Sequence, residues 1–512
     1  HRVDRRQRQM CIRDSSWSNL LYCFAGALLG TIVGVLPGVG PVVTIALLLP
    51  LTFGLPAVSA IIMLAGIYYG AQYGGSTTAI LVNLPGEANS VATTLDGYAM
   101  AQRGRGGAAL AIAAIGSFVA GTVATLLIAA FGPGMASLAL QFGPVEYFSL
   151  MLLGLVCSIV LANGSVFKAI TMIVLGMFLG LVGADANSPM PRLTFGAMEL
   201  ADGIDFVAVA VGLFGLTEIM LNLEQKPREV KAVPMHELLP TREELQASIG
   251  PILRGTLLGS LLGVLPGGGA LLASFGAYAL EKKISRTPQR FGHGAVEGVA
   301  APEAANNAGA QTSFIPLLTL GVPSNAIMAV MAGAMTIQGI VPGPQVMTEH
   351  ATLFWGMIAS MWIGNLMLVV LNLPLVGLWV KLLQVPYRLL YPAIVFFCAI
   401  GIYSINNRAL DVYLAVGIGV LGYLMIKLGF EATPLVLGFV LGPMMEENFK
   451  RAMLLSGGDA GTFIERPIST GLLLAALIVL TAMLLPSVKR TRAVALKDCL
   501  LYTSDAADDL LC

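Results

Sequence analysis

Of the chain's 512 residues, 56% are hydrophobic and only 11% are charged, with a mean hydropathy of +0.81. Soluble domains carry about a quarter charged residues, so this composition excludes them and describes a polytopic protein of the lipid bilayer. The 29 basic and 29 acidic residues balance, which gives no sign of a nucleic-acid partner. The six cysteines lack metal or redox spacing, so no disulfide framework is expected.

Residues 1–16 and 498–512 fit neither helix nor signal-peptide logic and read as adaptor-like sequence foreign to the fold, so they are set aside. The chain proper then opens with an apolar run that stops at GTIVGVLPGVG, Gly30 to Gly40, followed by a second run from Val42 to Leu49. Proline removes a backbone donor and glycine permits turns, so a helix must end there. Crossing an apolar core of about 30 Å takes about 20 apolar residues. Pro56 to Leu84 is long enough but is interrupted by YYGAQYGGSTT, where a second break is expected, and a polar stretch with Asp96, Arg103 and Arg105 follows. Further spans are expected at Ala108 to Phe131, Val145 to Leu161, Val166 to Val182 and Gly203 to Leu223. Glu224 to Ser248 is the longest hydrophilic loop, and the capping-box spacing of Thr241 and Glu244 predicts a short amphipathic helix at its end.

The second half repeats this order. GSLLGVLPGGG, Gly259 to Gly269, matches the first break at seven of eleven positions, inside a hairpin from Ile252 to Leu280. A basic loop, EKKISRTPQR, leads to a second broken crossing from Ala300 to about Ala334, in which Gly309-Ala310-Gln311 repeats Gly70-Ala71-Gln72. Spans are then expected at Leu353 to Val380, Leu389 to Tyr403, Val412 to Ile426, Pro434 to Met445 and Thr470 to Leu485. The basic loop follows the broken crossing in the first half and precedes it in the second. With both loops cytoplasmic, as the positive-inside rule expects, the two halves enter the bilayer from opposite faces. The expected fold is therefore all-α with about 10–12 spans: repeat 1 over residues 17–223, a cytoplasmic linker over 224–250, and inverted repeat 2 over 251–488.

Inverted repeats with broken helices point to a secondary transporter whose site lies near the midplane. Within a bilayer, freed backbone groups survive only against protein, water or ligand, so the breaks supply the candidate binding residues. These are Pro37, Gly38, Gly40, Gln72, Ser76, Thr77, Thr78 and Asn83 in the first half, and Pro266, Gly267, Gly268, Gly269, Glu303, Asn306, Asn307, Gln311, Thr312, Ser313, Ser324 and Asn325 in the second. The alternative for the glycines is close helix packing, and for the small polar residues it is bonding to one another. Neither cluster holds Lys or Arg, so an anion would be held by helix N-termini, backbone N–H groups and hydroxyls, while freed carbonyls suit Na⁺. Glu303 is the carboxylate expected at membrane depth, and Glu87 reads as an interfacial or capping residue. No HExxH motif or catalytic constellation is present, so no enzyme and no cofactor is expected.

The chain resembles the large permease subunit of tripartite tricarboxylate transporters, the TctA family. The resemblance rests on GTIVGVLPGVG, YYGAQYGGSTTAILVNLPGE, GVLPGGG, PEAANNAGAQTSFIPLLTLGVPSN and its IQGIVPGP continuation. It implies a permease of the bacterial inner membrane that works with a small four-span membrane subunit and a periplasmic solute-binding protein. It also implies uptake of tricarboxylates or related small carboxylates, driven by a cation gradient. The ligand inventory favours Na⁺ over H⁺ as the coupling ion, since oxygens for a sodium ion are plentiful at the breaks. The alternatives are the large subunit of a tripartite ATP-independent periplasmic transporter and a passive anion channel.

Overall fold

The computed structural model describes residues 17–36, 40–83, 87–161, 165–185, 188–224, 239–265, 269–382 and 387–484. The two adaptor-like ends, most of the hydrophilic linker, and the hairpin-tip residues Pro37, Gly38, Pro266, Gly267 and Gly268 lie outside the described residues. Within them the chain is helical apart from one short antiparallel pair, β1 (Gly183–Asp185) with β2 (Ser188–Arg192).

The first half runs α1 (Trp17–Gly34), α2 (Pro41–Leu48), α3 (Ala57–Val82), α4 (Val91–Met100), α5 (Gly106–Ala139), α6 (Pro144–Leu161) and α7 (Val166–Gly180). After β1 and β2 come α8 (Phe206–Ala210) and α9 (Thr217–Glu224), joined through a π-helical turn, Val211–Leu216. The second half runs α10 (Arg242–Gly263), α11 (Gly269–Ile284), α12 (Glu297–Thr312), α13 (Phe314–Leu320), α14 (Ala326–Ile337), α15 (Ala351–Asn372), α16 (Val376–Leu382), α17 (Tyr387–Asn406), α18 (Ala409–Lys427), α19 (Ala432–Leu455) and α20 (Pro467–Leu484). The stretches Trp17–Gly34, Val91–Ala139, Ala351–Asn372 and Ala409–Lys427 are each long and apolar enough to cross a bilayer, and shorter apolar helices accompany them. Leu253, Leu257 and Leu261 on α10 are 57%, 63% and 62% exposed. An outward stripe of leucine opposite an inward stripe of glycine is the pattern of a helix in lipid.

Two expectations are corrected. YYGAQYGGSTT does not break the first crossing, for α3 is one continuous helix of 26 residues. Its hydroxyls bond back along the helix, Ser76 to the Gln72 carbonyl, Thr77 to that of Tyr73 and Thr78 to that of Gly75, so the polar residues are accommodated without unwinding. The break comes only at Asn83, in the left-handed conformation at φ 55°. The second crossing ends in the same way at Gly321, φ 71°, and Asn83 and Gly321 each stand two residues before a proline, Pro85 and Pro323. The second correction concerns the helix after the linker. Thr241 and Glu244 do form the capping box, but the helix they start continues into the hairpin as α10 instead of ending as a separate amphipathic piece.

The described chain divides into two compact units, each drawing on both halves of the sequence. One comprises residues up to Gln141 with Thr194–Leu428, the other Phe142–Leu193 with the residues from Gly429 onward. In the second unit Gly176 and Gly180 of α7 lie against the carbonyls of Leu435 and Phe439 on α19. Phe148, Phe449 and Phe463 meet there with ring centroids 4.9–5.7 Å apart, beside a buried Ser149–Ser469 hydrogen bond of 2.7 Å. Arg466 bonds Glu146 at 3.2 Å and Arg192 bonds Glu446 at 2.6 Å.

The first unit carries the repeat. Gly26, Gly30 and Gly34 of α1 face Met63, Ile67 and Ala71 of α3 so closely that a Cβ would stand 2.2–2.4 Å from those carbonyl oxygens. Gly255, Gly259 and Gly263 of α10 face Ala301, Ala305 and Gly309 of α12 in the same way, at 2.3–2.4 Å. Both registers rise together, so α1 is parallel to α3 and α10 to α12. Between the repeats the register is reversed: Ser76 meets Glu303, while Tyr68 packs on Phe314. The equivalent helices α3 and α12 therefore cross antiparallel, with Gly70-Ala71-Gln72 and Gly309-Ala310-Gln311 near the crossing. A repeat whose equivalent helices run in opposite directions is an inverted one. At one end of this unit Arg105 pairs with Glu244 and the Arg103 guanidinium lies beside Gly294, which brings the two basic loops together. At the other end Gln338 Nε2 donates to the Thr52 carbonyl at 3.1 Å.

Candidate functional site

The crossing of α3 and α12 gathers a dense group of buried amides, hydroxyls and carboxylates. Glu303, 1% exposed, accepts from Ser76 Oγ at 2.7 Å and from Thr93 Oγ1 of α4 at 2.5 Å. Asn307, one turn on, donates through Nδ2 to Ser117 Oγ of α5 at 2.7 Å, which leaves the Ser117 proton for the Glu303 carboxylate beside it. One further turn on, Gln311 receives the Thr125 hydroxyl on its Oε1. Tyr73 OH donates to Asn365 Oδ1 of α15 at 2.9 Å, and Asn365 Nδ2 donates to the Phe118 carbonyl at 2.8 Å. A cavity of about 20 Å³ lies between Ser76, Tyr73, Ser117, Glu303 and Asn372. That is room for about one water or a bare cation, and too little for a tricarboxylate.

Glu87 sits just past the first break and is only 8% exposed. The expected interfacial or capping role is corrected: its side chain takes an amide hydrogen from Asn306 Nδ2 at 3.1 Å and another from Asn89 Nδ2 at 3.2 Å. No Lys or Arg pairs with Glu87 or Glu303 among the described residues, so either carboxylate could hold a cation or a proton. A third buried carboxylate, Asp96 of α4, is differently placed. Its Oδ1 accepts the N–H groups of Gly292, Gly294 and Ala295 at 2.7–2.9 Å, and its Oδ2 accepts Tyr278 OH at 3.0 Å. This ties the second basic loop to the first half.

Of the residues expected from sequence, the structure brings Gln72, Ser76, Glu303, Asn306, Asn307, Gln311 and Ser313 to the crossing, with Thr77 on the cavity wall. The others stand apart in local roles. Thr78 and Thr312 bond back along their own helices. Asn83 ends α3, and Asn325 Oδ1 caps α14 by accepting the Met328 N–H at 2.9 Å. Ser324 bonds the Ser313 carbonyl across the second break. Gly40 precedes α2, and Gly269 packs on Gly263, where a Cβ would meet Cα at 2.7 Å. The candidates omitted Tyr68, Tyr73, Thr93, Ser117, Thr125 and Asn365. Ser117, Thr125 and Asn365 were visible as polar residues inside apolar spans, and Tyr68 and Tyr73 lie in the YYGAQY stretch itself.

Two inverted repeats with broken crossings around a buried polar crossing point are the architecture of a membrane transporter. The model of the tripartite tricarboxylate transporter TctA family matches residues 20–437. The chain belongs to that family, the large subunit of a tripartite transporter. It is 58% identical over 475 residues to an uncharacterized 52.8 kDa protein in the TAR-I ttuC' 3' region of Agrobacterium vitis, covering 93% of this chain and 95% of that one. It is 60% identical over 234 residues to an uncharacterized protein in the TAR-II ttuC' 3' region of the same organism, covering 46% of this chain and 97% of that one. No solved structure matches.

Proposed function

We propose that this chain is the permease that imports tricarboxylates or related small carboxylates across a bacterial inner membrane. It works with a periplasmic solute-binding protein and a small four-span membrane subunit, and a cation gradient drives it, Na⁺ in preference to H⁺. The observation that carries this reading is the antiparallel crossing of two equivalent helices, which brings two buried carboxylates and a set of amides and hydroxyls together without a fixed cation. The helix that restarts after the first break, α4, brings its first turn beside Glu303 through Thr93, where the N-terminal end of a helix favours negative charge. The neutral oxygens suit sodium, as at the broken helices of other inverted-repeat carriers.

The test is uptake of labelled citrate into proteoliposomes holding all three components, with a Na⁺ gradient or a pH gradient imposed separately. Accumulation against the citrate gradient, driven by Na⁺ and abolished by a sodium ionophore, is the expected result. Equilibration without accumulation would make the protein a passive channel. Accumulation driven by the pH gradient without Na⁺, and lost in Glu303→Gln, would make the proton the coupling ion.

A further inference from the structure

Buried polar atoms without a hydrogen-bond partner are few in folded proteins, and each one calls for an explanation. At the α3/α12 crossing the described structure holds several: both side-chain atoms of Gln72, the hydroxyl of Tyr68 and Oδ1 of Asn306. All three residues are fully buried. Gln311, the repeat counterpart of Gln72, has its oxygen satisfied by Thr125. The unpartnered glutamine is therefore that of the first half, and the lack of a partner is no general property of glutamine at this position.

These residues are linked through Glu87. The Tyr68 hydroxyl is beside the side chains of Gln72 and Ser313 and within electrostatic reach of Glu87. Asn306 reaches Glu87 directly at 3.1 Å. The antiparallel register, Ser76 with Glu303 and Tyr68 with Phe314, sets Gln72 opposite the turns between Asn306 and Ser313. Because Asn306 gives its NH₂ to the carboxylate, its amide orientation is fixed and its oxygen must point elsewhere. Glu303 is not part of this group, since hydroxyls from α3, α4 and α5 already surround it.

We propose that Glu87, Asn306, Gln72, Tyr68 and Ser313 form a site for one dehydrated monovalent cation, Na⁺, ligated by oxygen alone. This rests on the cation-coupled reading above and assigns it a place. Glu87 is the one carboxylate among these ligands, the other oxygens being neutral, which suits a monovalent ion. A divalent ion in so buried a setting would need further anionic ligands, and the described residues hold no cluster of three or more His, Cys, Asp or Glu. The orphan acceptors explain the preference over a proton, because Gln72 Oε1 and Asn306 Oδ1 cannot be satisfied by protonating Glu87 alone.

The experiment is thermal unfolding of the purified subunit in detergent, titrated with NaCl against choline chloride at constant ionic strength. A ligand that binds only the folded state stabilises it by RT ln(1 + [L]/Kd), so the melting temperature begins to climb as the ligand concentration passes Kd and then rises with its logarithm. Stabilisation by Na⁺ of this logarithmic form is expected, with the concentration at which it sets in raised at least tenfold in Glu87→Gln and in Gln72→Leu, and unchanged in Thr481→Ala on the surface of α20. Should Glu87→Gln fail to fold, Tyr68→Phe and Gln72→Leu carry the test. A Na⁺ response equal to that of choline, or one these variants leave intact, overturns the site, as does stabilisation by acid alone. The assay needs neither partners, substrate nor gradient. Loss of the site with Na⁺-driven uptake preserved would sink this proposal and leave the transport reading standing, and a Na⁺ response without any uptake would do the reverse.

Discussion

Glu87, Asp96 and Glu303 are all buried in the first unit, and their surroundings give them separate tasks. Asp96 is saturated by three backbone N–H groups and a tyrosine, the mark of a carboxylate that holds structure. Asp96→Asn weakens that anchorage by roughly 1.5–3 kcal/mol, the worth of hydrogen bonds to a charged group. The expected result is a lower melting temperature of the detergent-solubilised protein. The glycine stripes make a harder demand. A side chain at Gly30 or Gly259 would drive Cβ to 2.2 or 2.3 Å from a carbonyl oxygen of the facing helix, and neither backbone has room to yield. Gly30→Val and Gly259→Val should therefore yield little folded protein, whereas Leu257→Val on the exposed face should express normally. Fluorescence-detected size exclusion separates the two outcomes.

Helix boundaries were legible in the sequence wherever apolar length and capping chemistry agreed: α6 begins one residue before the expected Val145 and ends at the expected Leu161, α7 begins at the expected Val166 and ends two residues short of Val182, and the Thr241–Glu244 capping box formed. The continuity of α3 was not legible, because Gly, Ser and Thr read as breakers in a list of residues yet become helix formers when glycine meets a neighbouring backbone and hydroxyls bond to their own carbonyls. The same blindness hid Thr93, which lies in the polar stretch before Arg103 that folds as α4, and with it one of the hydroxyls on Glu303. The α10 start has a pH signature. Burial alone would raise the Glu244 carboxyl, but the Thr241 N–H and the Arg105 guanidinium outweigh it and hold the group below its usual range. A carboxylate depressed in the folded state stabilises fully above its unfolded pKa of about 4.3 and loses that contribution as pH falls through the lower folded value. Melting temperatures of the wild type should thus converge on those of Glu244→Gln as the pH drops below about 4, with the gap between them widest near neutrality.

At the scale of the molecule, the inverted arrangement follows from contact registers that the sequence could only suggest through its basic loops. Those loops do meet, at Arg103 with Gly294, while Thr52 and Gln338 meet at the opposite end. Single cysteines at Arg103 and Arg286 should accordingly react with a membrane-impermeant maleimide from one side of inverted or right-side-out vesicles. Cysteines near Leu51 and Val341 should react from the other, and labelling of all four from one side would contradict the inverted repeat. The glycine stripes bear on mechanics as well as on assembly. Where α1 touches α3 and α10 touches α12 backbone to backbone, no slack remains for sliding, and each pair behaves as one stiff lever. The crossing between the levers is joined by hydroxyls and amides, which can trade partners at little cost. Elastic compliance is thus concentrated at the pivot where the polar groups lie, so whatever occupies that pivot sets the angle at which the two levers come to rest.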